Sequence, residues 1–547
     1  MERMTAAEAV VETLVRHGIS TLYGVPGVHN DPLFDALHGA ADRIRTIHAR
    51  HEQAAGYMAL GAALATGRPQ VFSVVPGPGI LNAGAALLTA YGLGAPVLAL
   101  VGQIPAAAID RGWGHLHELP DQLGLLRHMT KHAARVADAT DAAAKVIEAV
   151  GIATTGRQRP VAVECAIDVW ARAGEVAFPS PWPRSAPPVD ADAIADAAGI
   201  LDRAERPIVV AGGGALDAGA ELLAVAEALQ APVVTYRRAR GVIPTAHPLA
   251  VSLPVGHRLW PEADAVLAVG TRLHYQQAWW GTDPRIEIVR IDIDAEQMDR
   301  FRRPDCAIVA DAAPALRALL AALPARRRPE RTDVAQHQAW LADELAKLQP
   351  QMEFLDAIRA ALPADGIVVE DVTQLGFVGR LAFPVAAPRL YLSAGYQDNL
   401  GWAYGTALGV KAALPRRAVV ALTGDGGFMY QASELATAVH HKLGVVALVF
   451  DDGAFGNVRR IQERYYGNRL IACDLTNPDF VRLAESHGMA AFRATDPAGL
   501  RRALERALAL DAPALVHVPV GPMPDPWPLI MRPRVRGFED GWRRNLP

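Results

Sequence analysis

A glycine-rich turn and two acidic residues are the strongest chemical signal in the sequence. The turn Thr423-Gly-Asp-Gly-Gly-Phe428 follows the apolar run 418–422. Its glycines let the backbone approach an anion closely, and the helix that follows would point its amide groups at that anion. Asp425 stands within the turn, and Asp452 follows 27 residues later in Asp451-Asp-Gly-Ala454. This separation suits a helix and a strand that return the chain to a neighbouring strand end, so we predict that both carboxylates bind one magnesium ion.

The same residues have a less specific interpretation. Gly-Asp-Gly can be an ordinary turn, and an acidic pair is often a solvated surface feature. For the glycine turn alone we would prefer that interpretation. The second acidic turn, placed one helix and one strand later, favours the metal site instead.

The elements that must position these residues follow a repeating pattern. Short apolar runs such as 71–75 and 97–101 end at proline or glycine, as strands buried in a parallel sheet do. The proline-rich stretch from Phe178 to Pro188 and the charged run from Arg326 to Arg331 are typical of linkers. We therefore predict an α/β fold of three doubly wound parallel-sheet domains at residues 1–175, 190–322 and 350–530, followed by a C-terminal tail at 531–547.

Composition narrows the classes of function. The chain has 547 residues, of which 51% are hydrophobic and 20% are charged, and its net charge is -4. This charge gives no reason to expect nucleic acid or an anionic membrane as a partner. Three widely spaced cysteines match no metal site or disulfide framework, and no segment is apolar enough for a membrane span. We expect a cytoplasmic protein without a leader peptide.

With these motifs the chain resembles the thiamine-diphosphate-dependent decarboxylase and carboligase family, which includes acetolactate synthase, benzoylformate decarboxylase and benzaldehyde lyase. Members carry Gly-Asp-Gly and a second metal-binding turn, and their pyrimidine-binding, central and diphosphate-binding domains match the three predicted here. The resemblance implies thiamine diphosphate and Mg²⁺ as cofactors and a small carbonyl compound as substrate. It also implies a homodimer or homotetramer, because the family's cofactor lies between the first domain of one chain and the third domain of another.

By this resemblance the metal ligands are Asp425, Asp452 and the backbone carbonyl of Ala454. The family's asparagine is replaced by Asp452, and the extra carboxylate would bind the cation more strongly but repel the diphosphate. The residues expected to contact the cofactor lie in four short segments of the third domain, namely Thr373, Gln374, Asp398, Leu400, Gly424, Gly426, Gly427, Phe428, Phe455, Gly456 and Asn457. Leu400 would support the bent cofactor. Asp398 replaces a glycine whose carbonyl accepts from the cofactor's amino group, so its side chain either turns away or enters the pocket.

The resemblance also assigns an activating carboxylate. Glu52 stands in Arg50-His-Glu-Gln-Ala-Ala55, before a helix predicted over 56–66. The segment alone predicts only a helix start with exposed charges. In the family a glutamate in this setting hydrogen-bonds to the aminopyrimidine ring of the cofactor, and so promotes removal of the C2 proton of thiamine. This role makes a catalytically silent cofactor-binding protein the less favoured alternative.

Substrate-facing residues are expected on two loops of the first domain. His29 occupies a position similar to that of a pocket histidine of benzaldehyde lyase, and His117 and Gln103 lie on or next to a second loop. A single histidine is more often structural than catalytic, but two on converging loops favour acid–base work. Val75 stands where benzoylformate decarboxylase has its proton-donating histidine.

Three activities of the family remain open. The preferred one is a lyase or carboligase that acts on a small 2-oxo acid, 2-hydroxy ketone or diketone. Hydrolysis of a 1,2-diketone is an alternative, as in cyclohexane-1,2-dione hydrolase. A flavin-linked 2-oxo acid oxidase is another, because Gly212-Gly-Gly214 and Asp292 suit a dinucleotide, although the short stretch 249–261 predicts a vestigial site. For the tail, covering an active-site mouth and packing on the surface are equally open.

Overall fold

Three six-stranded sheets organise the protein. The structure is a computed structural model that describes residues 2–180, 182, 186–326 and 328–537. Within each six-stranded sheet the paired strands are parallel, and helices flank the sheets. This architecture confirms the predicted α/β class with three parallel-sheet domains.

The N-terminal domain contains a sheet whose central strands are almost wholly apolar. Its elements in chain order are β1 (Glu2–Thr5), α1 (Ala6–Arg16), β2 (Thr21–Gly24), α2 (Asp31–Gly39), β3 (Arg45–His48), α3 (Glu52–Thr66), β4 (Gln70–Val74), α4 (Pro78–Leu93), β5 (Val97–Gln103), α5 (Gln122–Met129), β6 (Ala133–Val136), α6 (Ala139–Thr154), β7 (Val161–Ala166), α7 (Ile167–Trp170) and β8 (Ala173–Val176). The strand order is β3-β2-β4-β5-β7-β6, and β1 pairs with β8 in a small antiparallel sheet. The loops that leave β2, β4 and β5 therefore meet at the carboxyl edge of one sheet.

The central domain has the same layout with shorter strands. Its elements are α8 (Ala191–Arg203), β9 (Pro207–Ala211), α9 (Gly219–Leu229), β10 (Val233–Thr235), β11 (Ala250–Ser252), α10 (Leu253–Leu259), β12 (Ala265–Val269), β13 (Glu287–Asp292), β14 (Cys306–Val309) and α11 (Ala312–Ala322). The strand order is β11-β10-β9-β12-β13-β14. A π-helix at Tyr275–Trp280 follows β12 and lies against the cavity described below.

The C-terminal domain carries the glycine-rich turn between two central strands. Its elements are α12 (Thr332–Ala346), α13 (Gln351–Ala361), β15 (Ile367–Glu370), α14 (Gln374–Ala382), β16 (Tyr391–Leu392), α15 (Ala403–Ala413), β17 (Val419–Gly424), α16 (Asp425–Met429), α17 (Leu435–His441), β18 (Val445–Asp451), α18 (Gly456–Tyr465), α19 (Phe480–Ser486), β19 (Ala490–Arg493), α20 (Pro497–Ala509), β20 (Ala514–Pro519) and α21 (Trp527–Ile530). The strand order is β16-β15-β17-β18-β20-β19. Since β17 pairs with β18, the two acidic turns that follow them are neighbours.

The N-terminal and C-terminal domains share one hydrophobic core in which α3 packs against α15. Helix α3 is apolar on every side and must therefore be covered on every side. Its many small residues let the neighbouring helices pack closely against it. A side chain at Gly61 or Gly409 would collide with backbone of the opposite helix, so glycine permits the close approach. The helix begins at Glu52, one turn earlier than predicted, because the His51 ring accepts from Gln53 N and caps it there.

The tail contacts the central domain. Arg536 is buried, and its guanidinium donates to the carbonyls of Trp260 (2.9 Å) and Pro261 (2.7 Å). Up to residue 537 the tail therefore packs against α10 and the residues that follow it, and positions 538–547 lie outside the described residues. Within the described chain, no helix is both long and apolar enough to cross a membrane.

Candidate active site

The two predicted metal-binding aspartates lie side by side at the carboxyl edge of the C-terminal sheet. Asp425 is the first residue of α16 and is almost fully buried, and Asp452 follows β18 directly. Asn477 bridges the turns, because its Nδ2 donates to Asp425 Oδ2 (2.6 Å) and to Asp451 Oδ1 (2.8 Å). His517 Nε2 lies 3.0 Å from the other oxygen of Asp451. Asp451 thus has a partner on each of its oxygens. Asp425 and Asp452 are each held by a side-chain amide and keep lone pairs that a cation can use.

The charge balance of this cluster fits a divalent cation. Burial raises the pKa of Asp425 to about 6, and the neighbouring carboxylates of Asp452 and Asp451 act in the same direction. A bound cation would remove this repulsion. The donor atoms are carboxylate and carbonyl oxygens, as Mg²⁺ prefers. Ala454 lies in the same loop, which an isolated bridge from Ala454 to Asp474 holds in place.

The backbone around the aspartates forms a cradle for an anion. A side chain at Gly426 would lie 2.7 Å from the Phe455 ring, and one at Gly427 would lie 3.1 Å from Asp371 Oδ2. Within the described ranges no side chain caps the start of α16 or of α18, so their first amide groups remain available to diphosphate oxygens. These helices begin at Asp425 and Gly456, directly after Gly424 and Phe455, so the residues predicted to contact the metal or the cofactor lie at the helix starts.

The other expected cofactor contacts are arranged around this cradle. Thr373 Oγ1 accepts from Gly376 N (2.8 Å), so it caps α14 and has only its hydroxyl hydrogen left to donate. Gln374 Nε2 donates to Asp452 Oδ2 (2.7 Å), and Asn457 Oδ1 accepts from Arg460 Nε (3.1 Å). The Phe428 ring packs in the core beside Tyr404, so only its backbone can face a ligand.

The side chain of Asp398 turns into a buried ion-pair network. Its carboxylate accepts from Arg380 (2.6 and 3.0 Å) and from Arg237 of the central domain (3.0 Å). Burial opposes its ionisation, but the two arginines hold the pKa of Asp398 below its usual value. The backbone at Asp398 has a φ of 45°, in the left-handed region that glycine adopts freely and aspartate tolerates. The expected substitution of a glycine is therefore accommodated without the carboxylate being left unpaired.

Leu400 lies in the turn that Asp398 begins. The buried carboxylate of Asp371 accepts from Gly401 N (3.2 Å) and Ala403 N (3.4 Å), and so fixes the turn next to Leu400. Burial raises the pKa of Asp371 to about 6. Asp371 was not predicted as a site residue, although Glu370 and Asp371 directly follow the apolar run 367–369 and were a usable signal.

Glu52 lies at the carboxyl edge of the N-terminal sheet. Its Oε2 accepts from Asn82 Nδ2 (3.0 Å), and no other hydrogen bond to Glu52 is found in the described part of the chain. Val75 and Gly79 border the carboxylate, because a side chain at Gly79 would lie 2.7 Å from the Val75 side chain and 3.7 Å from Glu52 Oε1. One carboxylate oxygen is therefore held by Asn82, and the other stays available beside an apolar wall.

Two loops bring His29 and His117 together, as predicted. Their ring centroids are 5.1 Å apart with the rings nearly stacked, and His29 is only 4% exposed. The Nδ1 atoms of both rings are buried and have no partner among the described residues. Burial, and then the charge of a protonated His117, lower the pKa of His29, so its ring stays neutral near pH 7. The His117 carbonyl lies at Gly77, which places the pair on the same edge of the sheet as Glu52.

Gln103 takes part in a buried network below this edge. Its Oε1 accepts from Ile104 N (2.7 Å), and its Nε2 lies 3.5 Å from Glu164. Gln122 and Arg135 also donate to Glu164 (2.9 and 2.6 Å). The amide of Gln103 is thus engaged with protein groups, and a catalytic role for it stays a prediction.

Within one chain the Glu52 group lies on the N-terminal domain and the Asp425 group on the C-terminal domain. The domains contact each other through α3 and α15, and through Glu434, whose carboxylate accepts from Arg50 N and His51 N (3.0–3.2 Å). Large apolar side chains are exposed near both groups, namely Leu81, Leu88, Trp113 and Leu116 on the first and Met429, Tyr430 and Ile471 on the second.

A cavity of about 820 Å³ lies where the central domain meets the N-terminal and C-terminal domains, and residues of all three line it. It is lined by Gly212, Arg272, Gln276, Asp292 and Asp311 among others. This volume is within the range of small-molecule sites. The glycine run also has a packing explanation, because a side chain at Gly214 would lie 2.8 Å from the backbone of Gly270.

Comparison with known proteins agrees with this geometry. Three family models match the chain: the N-terminal TPP-binding domain of thiamine pyrophosphate enzymes at residues 4–125, their central domain at 194–319 and their C-terminal TPP-binding domain at 371–518. The chain belongs to the thiamine pyrophosphate enzyme family. It is therefore an enzyme that binds thiamine diphosphate, with Mg²⁺ as the usual partner metal of the family, and that catalyses carbon–carbon bond chemistry.

Curated relatives match along nearly the whole chain. A probable 2-ketoarginine decarboxylase (AruI) of Pseudomonas aeruginosa is 34% identical over 539 residues, with 94% of each chain covered. A probable acetolactate synthase large subunit of Methanocaldococcus jannaschii is 33% identical over 561 residues, covering 95% of this chain and 92% of the relative. The large subunit of acetolactate synthase isozyme 1 of Escherichia coli is 29% identical over 545 residues, with 97% and 96% covered. Decarboxylation and carboligation are thus the activities of its relatives.

Proposed function

We propose that the protein is a lyase or carboligase that cleaves or forms the carbon–carbon bond next to the carbonyl of a small 2-oxo acid, 2-hydroxy ketone or diketone. The observation that carries this proposal is the group formed by Glu52, Val75 and the His29–His117 pair at one sheet edge. It combines a carboxylate with one free oxygen, an apolar wall and two imidazoles with unpartnered nitrogens. Such a set can bind a carbonyl compound and move protons around it.

The C-terminal domain would hold the cofactor's charged end. Asp425, Asp452 and the Ala454 carbonyl would bind Mg²⁺, and the amides at the starts of α16 and α18 would bind the diphosphate. When bound, thiamine diphosphate supplies a nucleophilic carbon that adds to carbonyl groups. The turn at Asp398–Leu400, which Arg380 and Asp371 hold, would support the middle of the cofactor.

Acid–base work would fall to the N-terminal domain. Glu52 Oε1 would share a proton with a ring nitrogen of the aminopyrimidine, while Asn82 keeps Oε2 in place. His29 is neutral near pH 7, so its ring N–H could donate a hydrogen bond to an alkoxide. The ring could then give this proton to the alkoxide and take it back in a later step. His117 would share this task from the facing loop, while Val75 limits the access of water.

Both halves would meet across two copies of the chain. The exposed apolar side chains around Glu52 and around Asp425 support a homodimer or a homotetramer built from such dimers. In this assembly the N-terminal half of one copy and the C-terminal half of the other enclose one cofactor.

A substrate screen tests the proposal. Wild-type enzyme and Glu52→Gln are incubated with a panel of 2-oxo acids, 2-hydroxy ketones and 1,2-diketones, with and without aldehyde acceptors, and products are identified by mass spectrometry. We expect at least one compound to yield a cleaved aldehyde or a ligated hydroxy ketone, and this product should nearly vanish with Glu52→Gln. A 1,2-diketone that takes up water and yields one carboxylic acid for each aldehyde group, with no ligated product, would instead support the diketone hydrolase. No conversion of any carbonyl compound would contradict the proposal.

The central cavity supports a second candidate, the flavin-linked 2-oxo acid oxidase. Its volume, and the carboxylates of Asp292 and Asp311 that could bind hydroxyl groups, favour a functional nucleotide site over the vestigial site expected from the sequence. The absorption spectrum of the purified enzyme tests this, because bound flavin colours the protein yellow. A colourless enzyme whose denatured supernatant contains no flavin, and which consumes no oxygen during turnover, would rule out the oxidase.

A further inference from the structure

Three histidines meet where the N-terminal and C-terminal domains of one chain touch. His48 is the last residue of β3, and His440 and His441 are the last two residues of α17. Their ring centroids lie 4.7–4.8 Å apart, with the rings edge to face. One nitrogen from each ring lies within 4.8 Å of those of the other two. None of these residues belongs to the active site described above.

We propose that His48, His440 and His441 form a binding site for a divalent transition-metal ion, which ties β3 of the N-terminal domain to α17 of the C-terminal domain. Three imidazoles are a ligand set that Zn²⁺ and its neighbours Ni²⁺, Cu²⁺ and Co²⁺ accept, whereas Mg²⁺ requires oxygen. Around a tetrahedral Zn²⁺ the ligand nitrogens stand about 3.4 Å apart, so small ring rotations close the site. His440 is exposed, which gives an ion a path to the group and leaves room for a water ligand.

The protonation state of two of the three rings suits metal binding. Burial, and then the charges of His48 and His440, lower the pKa of His441 to about 4, and burial also lowers the pKa of His48. Both rings are therefore neutral at pH 7, the form that binds metals. His441 Nε2 lies 3.2 Å from both the backbone nitrogen and the carbonyl oxygen of His48. In the tautomer with the proton on Nε2, His441 donates to this carbonyl and its Nδ1 is unprotonated, as in most metal-binding histidines.

The charged groups around the site determine which ions fit. Arg45 donates to the carbonyl of His441 (3.1 Å), and the positive charge of Arg50 acts on His48. No carboxylate belongs to the ligand group among the described residues. Two nearby cations weaken the binding of any metal ion, so only an ion with a strong preference for nitrogen compensates for them.

Because of the position of the site, a bound ion would connect the N-terminal domain to the C-terminal domain. Glu52 begins α3 four residues after His48, and Glu434 of the C-terminal domain accepts from Arg50 N and His51 N between them. An ion held by one histidine before this segment and two at the end of α17 would stabilise the contact between the domains. Bound metal should therefore raise the unfolding temperature of the enzyme.

Titration calorimetry with Zn²⁺ tests the proposal on enzyme saturated with Mg²⁺ and thiamine diphosphate, so that the oxygen site is filled. We expect one Zn²⁺ per chain, bound in the micromolar range, and a rise in unfolding temperature. His440→Ala should weaken binding at least about tenfold and abolish the thermal shift. Because His440 is exposed, this variant should fold and keep the wild-type activity. The matched control, His38→Ala, removes another exposed helix-end histidine and should change nothing.

Further variants show where the ion binds. If binding is lost in His29→Ala but kept in His440→Ala, the ion occupies the substrate pocket and the proposal is wrong. Wild-type enzyme that binds no Zn²⁺ at micromolar concentration, or binding unchanged in both His440→Ala and His29→Ala, would overturn it as well. Co²⁺ is an independent probe, because four-coordinate Co²⁺ ligated by imidazole absorbs visible light, and this absorption should disappear in His440→Ala.

Discussion

The proposed active site has two halves, the Asp425 half on the C-terminal domain and the Glu52 half on the N-terminal domain, and their hydrogen bonding differs. In the Asp425 half nearly every polar side chain has a protein partner: Asn477 bridges two aspartates, and Gln374 donates to Asp452. In the Glu52 half the groups that could react are left open: among the residues that the structure describes, Asn82 alone hydrogen-bonds to the carboxylate, and the Nδ1 atoms of the histidine pair have no partner.

This difference in hydrogen bonding matches two tasks, namely cofactor binding in the Asp425 half and proton transfer in the Glu52 half. A half that holds a charged cofactor benefits from donors and acceptors fixed in advance, because binding then orders little more of the chain. A half that moves protons needs groups whose hydrogen-bonding capacity is still free for the substrate. We therefore expect changes in the first half to affect cofactor affinity, and changes in the second half to affect turnover.

The largest effect should come from the metal-binding aspartate. Asp425→Ala removes a predicted ligand, so Mg²⁺-dependent binding of thiamine diphosphate should be lost, whereas Asp452→Asn should leave an active enzyme. Fluorescence titration of the cofactor at several Mg²⁺ concentrations measures both, and the surface variant Asp365→Ala is the control. An Asp425→Ala enzyme with unchanged Mg²⁺ dependence would remove Asp425 from the metal site.

The complementary experiment is Glu52→Gln. The substitution keeps the shape of the side chain but removes the base, so turnover should fall about a hundredfold to ten-thousandfold while cofactor affinity changes little. Hydrogen–deuterium exchange at C2 of the bound cofactor should slow in parallel. The control Glu505→Gln alters an exposed carboxylate and should behave as wild type. Exchange that stays fast in Glu52→Gln would exclude Glu52 from activation.

A smaller effect is expected from the histidine pair. His29→Ala and His117→Ala should each lower turnover by about tenfold to a hundredfold, or change the ratio of released aldehyde to ligated product. Cofactor affinity should stay close to that of the wild type. If both variants only lower the unfolding temperature and leave the product ratio unchanged, the rings fill space and take no part in proton transfer.

The smallest effect concerns stability around Asp398. Asp398→Gly leaves Arg237 and Arg380 short of a partner, and should lower the free energy of unfolding by about 1–3 kcal/mol. Asp398→Ala should cost about 1 kcal/mol more, because alanine is strained at positive φ. Urea unfolding measures the difference. Equal stabilities of the glycine and alanine variants would show that the left-handed backbone relaxes without Asp398.

Much of the fold could be predicted because local signals agree with the tertiary structure. The apolar run 418–422 is observed as Val419–Gly424, and the strand expected before the second acidic turn is observed as Val445–Asp451. The pairing of these parallel strands brings the two acidic turns together. The histidine pair was also predicted to converge, since His29 and His117 follow strands at one sheet edge. Periodicity and strand order are sufficient for such conclusions.

Partners that come from distant loops were not predictable. Asn477 reaches Asp425 across 52 positions with no spacing rule, and Asp398 meets Arg237 from another domain. The early start of α3 was missed because a histidine is an uncommon N-cap. Asn82 gave no signal either, since its contact with Glu52 depends on how α4 packs beside α3.

Mixing two inactive variants shows whether the Glu52 half of one copy works with the Asp425 half of another. Glu52→Gln and Asp425→Ala are unfolded together, refolded with Mg²⁺ and thiamine diphosphate, and assayed with the best substrate of the screen. About half of the dimers would then be mixed, and each mixed dimer would contain one intact site, so about a quarter of wild-type turnover should return. Wild-type enzyme carried through the same treatment sets the reference. A mixture as inactive as its two components, despite refolded dimers, would contradict the account and place both halves of the site within a single chain.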